Sequence, residues 1–165
     1  MIILGVDPGI KHTGWAVLQG SRPLAVGTLV PAIKGRLLPS EVLAFVLPAI
    51  TELISKYTPS VTVVEEVTWY GRARRAMLPL AHVAGGIAGM SSALGVPTFL
   101  LLAAMRNKTR KWPDKWSEHE RDAARLAYRM HELFAGTATA ASVLPRRCLG
   151  GIPILVTTTA KRKRS

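Results

Sequence analysis

The first thirty residues alternate between apolar runs and turn residues. Ile2-Ile3-Leu4-Gly5-Val6 is apolar on both faces, as expected of a strand buried in a sheet covered on both sides. Asp7-Pro8-Gly9 turns the chain. Residues about 13–19 and about 24–30 then read as second and third strands, separated by Ser21-Arg22-Pro23 in the manner of antiparallel hairpins. After a polar loop with Lys34, Gly35 and Arg36, Ser40-Glu41 opens a helix that reaches Lys56-Tyr57, with Pro48 an expected kink. The β-branched run Val61-Thr62-Val63-Val64-Glu65-Glu66-Val67 predicts a fourth strand. A helix over about 76–94, a strand over 97–102 and a basic loop from Arg106 to Trp116 follow. The last helix spans Ser117 to Phe134, and Ser117 with Glu120 three residues later forms a capping box.

Three hairpin strands, then strands alternating with helices, predict an α/β fold: a mixed five-stranded sheet flanked by helices on both faces. The folded domain is expected over 1–135. Residues 136–165 read as a partly flexible basic tail ending in Lys161-Arg162-Lys163-Arg164. The uncharged run Val83–Met105 is long enough to cross a bilayer, but Gly85, Gly86, Gly89, Gly95 and Pro97 interrupt it. A helix ending near Gly95 and a buried strand starting near Pro97 explain it better than a membrane segment.

Composition adds a partner class. The formal net charge of +12, from 22 Lys+Arg against 10 Asp+Glu, favours a polyanion through steering and counterion release. Cys148 is the single cysteine, which excludes an internal disulfide and Cys-pair zinc sites. With no secretory pattern at the start, the expected location is the cytoplasm.

Acidic side chains stand at the ends of three predicted elements. Asp7 ends the first strand, Glu65 and Glu66 end the fourth, and His119 and Asp122, spaced i, i+3, share one face of the last helix. Taken singly, Asp7 before Pro-Gly can be a turn former, and the others can be solvated strand-end or first-turn residues. Taken together, they match the hard oxygen set that two Mg²⁺ ions need for phosphodiester hydrolysis. His119 could ligate the second metal or relay protons from the attacking water. Only one of Glu65 and Glu66 can face Asp7, because strand neighbours alternate; both faces of that strand are apolar, so periodicity does not choose.

These residues resemble the RuvC family of Holliday-junction resolvases, within the ribonuclease H-like superfamily. Ile3-Leu4-Gly5-Val6-Asp7-Pro8-Gly9 with Thr13-Gly14-Trp15-Ala16-Val17 looks like the family's first-strand signature, and Val63-Val64-Glu65-Glu66-Val67 like its second. His119-Glu120-Arg121-Asp122-Ala123 is similar to the final-helix motif, and Ala103-Ala104 with Arg106 and Lys108 to the basic segment after the fifth strand. The likeness spans about residues 2–134 and implies a ribonuclease H-like fold. Matching residue by residue, it implies Asp7, Glu65, His119 and Asp122 as catalytic and metal-binding residues, with two Mg²⁺ ions per site and Mn²⁺ able to substitute. The implied activity is symmetric nicking of branched, four-way DNA by a homodimer; the helix around Met77–Leu94, with its small residues, is either the dimer face or an ordinary core helix. Two positions depart from the pattern. His119 takes the first place of the final pair, a variation shared by some members. The family's base-stacking aromatic falls at Thr68, beside Trp69 and Tyr70.

Candidate DNA contacts fall in two clusters besides the tail. Trp69 and Tyr70 with Arg72, Arg74 and Arg75 combine aromatics and cations as single-strand binders do; Arg106, Lys108, Arg110 and Lys111 are flanked by Trp112 and Trp116. Either cluster can instead be a solvated charged loop. His12, His82 and His131 have no partner at metal spacing and read as structural. Three rival readings remain. Gly5-Val6-Asp7-Pro8-Gly9 with Thr13-Gly14 also resembles the first phosphate loop of actin-like ATPases and sugar kinases, but no second nucleotide loop follows. The others are a nuclease of the same fold acting on RNA or hybrid, and a non-catalytic binder of branched DNA.

Overall fold

In the computed structural model, residues 1–32, 35, 37–67, 74–106 and 109–136 are described, without the side chains of 74–76. Strand β1 (Ile2–Asp7) lies at the centre of a five-stranded sheet. Strands β2 (Thr13–Gln19) and β3 (Arg22–Leu29) continue it antiparallel on one side. Strands β4 (Val61–Glu66) and β5 (Thr98–Leu102) extend it parallel on the other, giving the order β3-β2-β1-β4-β5. This is the mixed α/β sheet expected. β3 begins earlier than the punctuation at Pro23 suggested: an edge strand tolerates the missing N–H, and a register shift at Val17/Leu18 absorbs the irregularity.

Two apolar layers cover the sheet. Helices α1 (Pro39–Tyr57) and α2 (Arg74–Ala93) bury Val42, Val46, Ile50, Val83 and Ile87 against Leu4, Val6, Val17 and Val64. Helix α3 (Glu118–Gly136) covers the other face with Ala123, Ala124, Leu126, Ala127 and Met130, meeting Ile3, Val61, Val63, Phe99 and Leu101. Helix α1 starts before Ser40: Leu38 is its cap, Pro39 occupies the first turn, and Glu41 accepts the Leu38 N–H at 2.8 Å. It runs on through Pro48. The run Val83–Met105 divides into the second half of α2, β5 and a 3₁₀ turn over Ala103–Met105. Among the described residues no helix is long and apolar enough to cross a membrane.

Helix α3 lies unusually close to the sheet because Gly5 and Gly14 have no side chain. A Cβ on Gly5 would stand 2.2 Å from the Ala123 carbonyl oxygen, and one on Gly14 2.2 Å from that of His119. The capping box fixes where the helix begins. The Glu120 N–H donates to Ser117 Oγ at 3.2 Å and the Ser117 N–H to Glu120 Oε2 at 2.7 Å, while the Ser117 and Thr28 hydroxyls meet at 3.0 Å. Ser117→Ala should cost about 1 kcal/mol and lower Tm by roughly 2–4 °C in a thermal melt. An unchanged Tm would mean that the cap bond contributes nothing.

Candidate active site

Strand alternation decides which carboxylates meet. On β1, Ile3 belongs to the layer under α3, and Gly5 abuts that helix's backbone; Leu4 and Val6 face α1 and α2. Asp7, two residues past Gly5, therefore faces α3. On β4, Val61 and Val63 share the α3 face, which puts Glu65 there and directs Glu66 to the other. The parallel register that aligns Gly5 with Val63 and Val6 with Val64 brings the tips of β1 and β4 side by side. On α3, Asp122 adjoins the Ala123–Leu126–Ala127–Met130 stripe, so it comes down on the same strand ends.

His119 Nδ1 lies 2.8 Å from Asp7 Oδ2, and the Asp7 and Glu65 carboxyls are within hydrogen-bonding reach of each other. The Arg106 guanidinium enters from the end of the 3₁₀ turn. Its Nη2 donates to Glu65 Oε1 at 2.5 Å and its Nη1 pairs with Asp122 Oδ2. Arg125 Nη1 donates to the other Asp122 oxygen at 2.7 Å. The four residues singled out from the sequence thus occupy one locality, with Asp122 joined to Glu65 through Arg106.

Burial dominates the electrostatics. It raises the Asp7 carboxyl from its ordinary value to about 6, against the lowering effects of Glu65 hydrogen bonding and the Arg106 charge. Glu65 is raised to about 7 by burial and by Asp7 beside it, against the opposing pull of Arg106. Two carboxyls this close can bond to each other only by sharing a proton, so they titrate as a pair. Glu65 Oε2 is buried and has no hydrogen-bond partner among the described residues.

Hard oxygen donors, an orphaned buried oxygen and a resident organic cation are what a divalent metal site offers when a side chain stands in for the ion. Asp7, Glu65 and Asp122, with His119 behind Asp7, are the residues that would hold the metal. Among the described residues no three His, Cys, Asp or Glu side chains already form a cradle for one ion. The Arg106 guanidinium stands between Glu65 and Asp122.

The proposed DNA contacts divide. Arg106 points into the carboxylates, and Arg110 lies 4.7 Å over the Trp112 ring and 4.5 Å over that of Tyr128. Trp112 is buried, stacked on Trp116 and edge-on to Tyr128, so these aromatics serve the α3-side core. Lys111 is exposed. It lines a groove of about 620 Å³ in which Arg110, Arg121 and Arg125 outnumber the acidic Asp114 and Glu118. Trp69, Tyr70, Arg72 and Lys108, the side chains of Arg74 and Arg75, and the tail beyond Gly136 lie outside the described residues. Sequence reasoning missed Arg121 and Arg125, one and two turns along α3 from the capping box, although the i, i+4 spacing was legible. It also missed His12, whose ring stacks on His119 at 5.6 Å. No local pattern marks His12; the β1–β2 turn carries it there.

Comparison with known proteins agrees with this architecture. A family model described as crossover junction endodeoxyribonuclease RuvC matches residues 3–98. The enzyme of that name from Chlorobaculum parvum is 33% identical over 101 residues, which is 59% of this chain and 52% of that protein. Its counterpart from Hyphomonas neptunium is 32% identical over 117 residues, covering 65% and 68%. The chain spans about half the length of several curated relatives it matches. Thermus thermophilus RuvC, solved in complex with a Holliday junction substrate, superposes with a TM-score of 0.67 at 18% identity, covering 83% of this chain and 97% of that one. At that identity the likeness is one of fold. One family model takes in more than half of the 165 residues, and the chain belongs to the RuvC family.

Proposed function

We propose that this chain is a divalent-metal-dependent endonuclease that resolves four-way DNA junctions by paired, symmetric nicks. The observation that carries the reading is the convergence of Asp7, Glu65 and Asp122, from two parallel strands and one helix, beside a groove lined by Arg110, Lys111, Arg121 and Arg125. Kinship with crossover junction endodeoxyribonucleases supports the choice of branched DNA. The cofactor would be Mg²⁺, two ions per site, with Mn²⁺ able to replace it. When bound, the metal supplies charge neutralisation at the phosphodiester and acidifies the nucleophilic water.

The chain's own residues do the rest. Asp7, Glu65 and Asp122 hold the cations. With its Nδ1–H donated to Asp7, the half-exposed His119 keeps a lone pair on Nε2 and takes a proton from the attacking water there. The groove cations hold the phosphate backbone beside the strand to be cut. A homodimer would present two such sites to the paired strands of the junction; exposed Leu78 in α2 and Leu94 just beyond its end make that helix the candidate contact. Action on the cell's DNA would keep the protein in the cytoplasm, at the nucleoid.

The test is incubation with a labelled synthetic four-way junction, with and without Mg²⁺. Paired nicks that require Mg²⁺ are expected. A junction shifted in a gel but left intact with Mg²⁺ would make the chain a non-catalytic binder. Glu65→Gln is expected to slow cleavage by about 10³-fold, the worth of several kcal/mol of charge stabilisation. Glu66→Gln should stay within about threefold, since its side chain takes the opposite face. The reverse ranking would overturn the assignment of Glu65.

A further inference from the structure

The position of Arg106 does not suit a contact to DNA. Its guanidinium is mostly buried, with 16% of the side chain exposed, and bridges two carboxylates that come from different elements. We propose that Arg106 is a resident counter-ion of the site, which the divalent cation must displace from Glu65 and Asp122 in order to bind. This rests on the metal-dependent reading above.

Three observations carry it. First, the oxygens engaged by Arg106 are the ones the metal needs. Glu65 Oε1 and Asp122 Oδ2 belong to two of the three carboxylates that would hold the ion. Guanidinium and metal therefore compete.

Second, the match is incomplete at both ends. Arg106 Nε is buried without an acceptor and Glu65 Oε2 without a donor, among the described residues. Asp7 takes its contact from His119 Nδ1, at 2.8 Å, and not from Arg106. Arg125 pairs only with the other Asp122 oxygen, so Glu65 has the Arg106 guanidinium as its one cationic partner among the described residues, and a compact divalent ion would satisfy more of the carboxylate oxygens.

Third, the side chain can leave without moving the fold. Arg106 closes the 3₁₀ turn, its N–H donating to the Ala103 carbonyl at 3.2 Å, so its Cα is held while the long side chain rotates. Before metal arrives, the guanidinium lets the carboxylates lie side by side in a buried site.

The experiment measures Mn²⁺ binding to the full chain by electron paramagnetic resonance, for the parent, Arg106→Ala and Arg106→Gln. Both variants are expected to bind Mn²⁺ at least about tenfold more tightly at low ionic strength, because a competing charge has left three carboxylates. Both should melt lower than the parent without metal and gain more Tm on adding it. Equal or weaker Mn²⁺ affinity in a folded variant overturns the proposal. The parent supplies an independent check: saturating Mg²⁺ should shift the Arg106 Nε–Hε resonance, and an unmoved resonance overturns the proposal as well. If the parent binds Mn²⁺ and cleaves junctions while the variants bind no tighter, only this inference falls. If no form binds Mn²⁺ or Mg²⁺, the metal-dependent reading falls with it.

Discussion

Asp7→Asn should bind a four-way junction like the parent chain, cleave it about 10³-fold more slowly, and melt at a higher temperature in EDTA at pH 8. The loss of cleavage follows from removing a ligand charge at the point where β1, β4 and α3 meet. The gain in stability follows from burial. Asp7 is 8% exposed and its carboxyl titrates near 6, above its ordinary value of 3.8, so the fold disfavours the ionised form. A folded-state value above the unfolded one means that the native state holds the extra proton. Stability from this group is complete below about pH 4 and is lost as pH rises through about 6.

At pH 8 the parent therefore carries a buried charge that asparagine lacks, while asparagine can still bond to His119 Nδ1. The difference is on the order of 2 kcal/mol, or roughly 4–8 °C in Tm, and should close as pH falls to 4. Adding Mg²⁺ should reverse the order, because only the parent gains a ligand for that charge. If Asp7→Asn melts lower than the parent at pH 8 without metal, the Asp7 charge is already satisfied by the protein, and the site holds no excess for a cation.

Gly5→Ala should be strongly destabilising. Its Cβ would meet the Ala123 carbonyl oxygen at 2.2 Å and the Ala127 Cβ at 3.0 Å, and a backbone carbonyl cannot rotate away as a side chain does. Helix α3 has to lift from the sheet. The expected cost is about 3 kcal/mol, at the upper end for overpacking, with Tm lower by roughly 6–12 °C. Because α3 also carries His119 and Asp122, cleavage should fall further than stability explains. Gly85→Ala is the control: nothing lies within 4 Å of its Cβ position, and alanine in a helix is favoured by about 0.5–1 kcal/mol. If Gly5→Ala melts within a degree of the parent, the close approach of α3 to β1 is wrong, and with it the geometry of the site.

The order of strands and helices was legible because each rests on local pattern. β1 is an apolar run ended by Asp7-Pro8-Gly9, and α3 is a capping box followed by an amphipathic stripe; both were recovered to within a residue or two. Element starts slipped where Pro decided them. Pro39 opens α1 ahead of the polar Ser40-Glu41 signal, and Pro23 sits inside an edge strand although it reads as punctuation.

The choice between Glu65 and Glu66 was not legible from the strand itself. A strand covered on both faces is apolar at every position, so period two carries no information until the helix carrying Asp122 is known to lie on the face of Val61 and Val63. The direction of the long basic and aromatic side chains was not legible for a related reason. Net charge predicts a polyanionic partner, yet the direction of each long side chain depends on which charges and rings the fold brings near it. Arg106 turned inward to Glu65 and Asp122, and Trp112 went into the core with Arg110 laid over it.

By itself, then, the amino-acid order determined the elements, their succession and the residue types able to bind metal, since these follow from backbone propensity and side-chain chemistry within a few positions. Only the tertiary structure decided which carboxylates share a face, that an arginine stands among them, and that two glycines bring helix and sheet close enough for them to meet. Those facts depend on distances between residues as far as 122 positions apart, as between Gly5 and Ala127 across the contact of β1 with α3, and no local pattern encodes them.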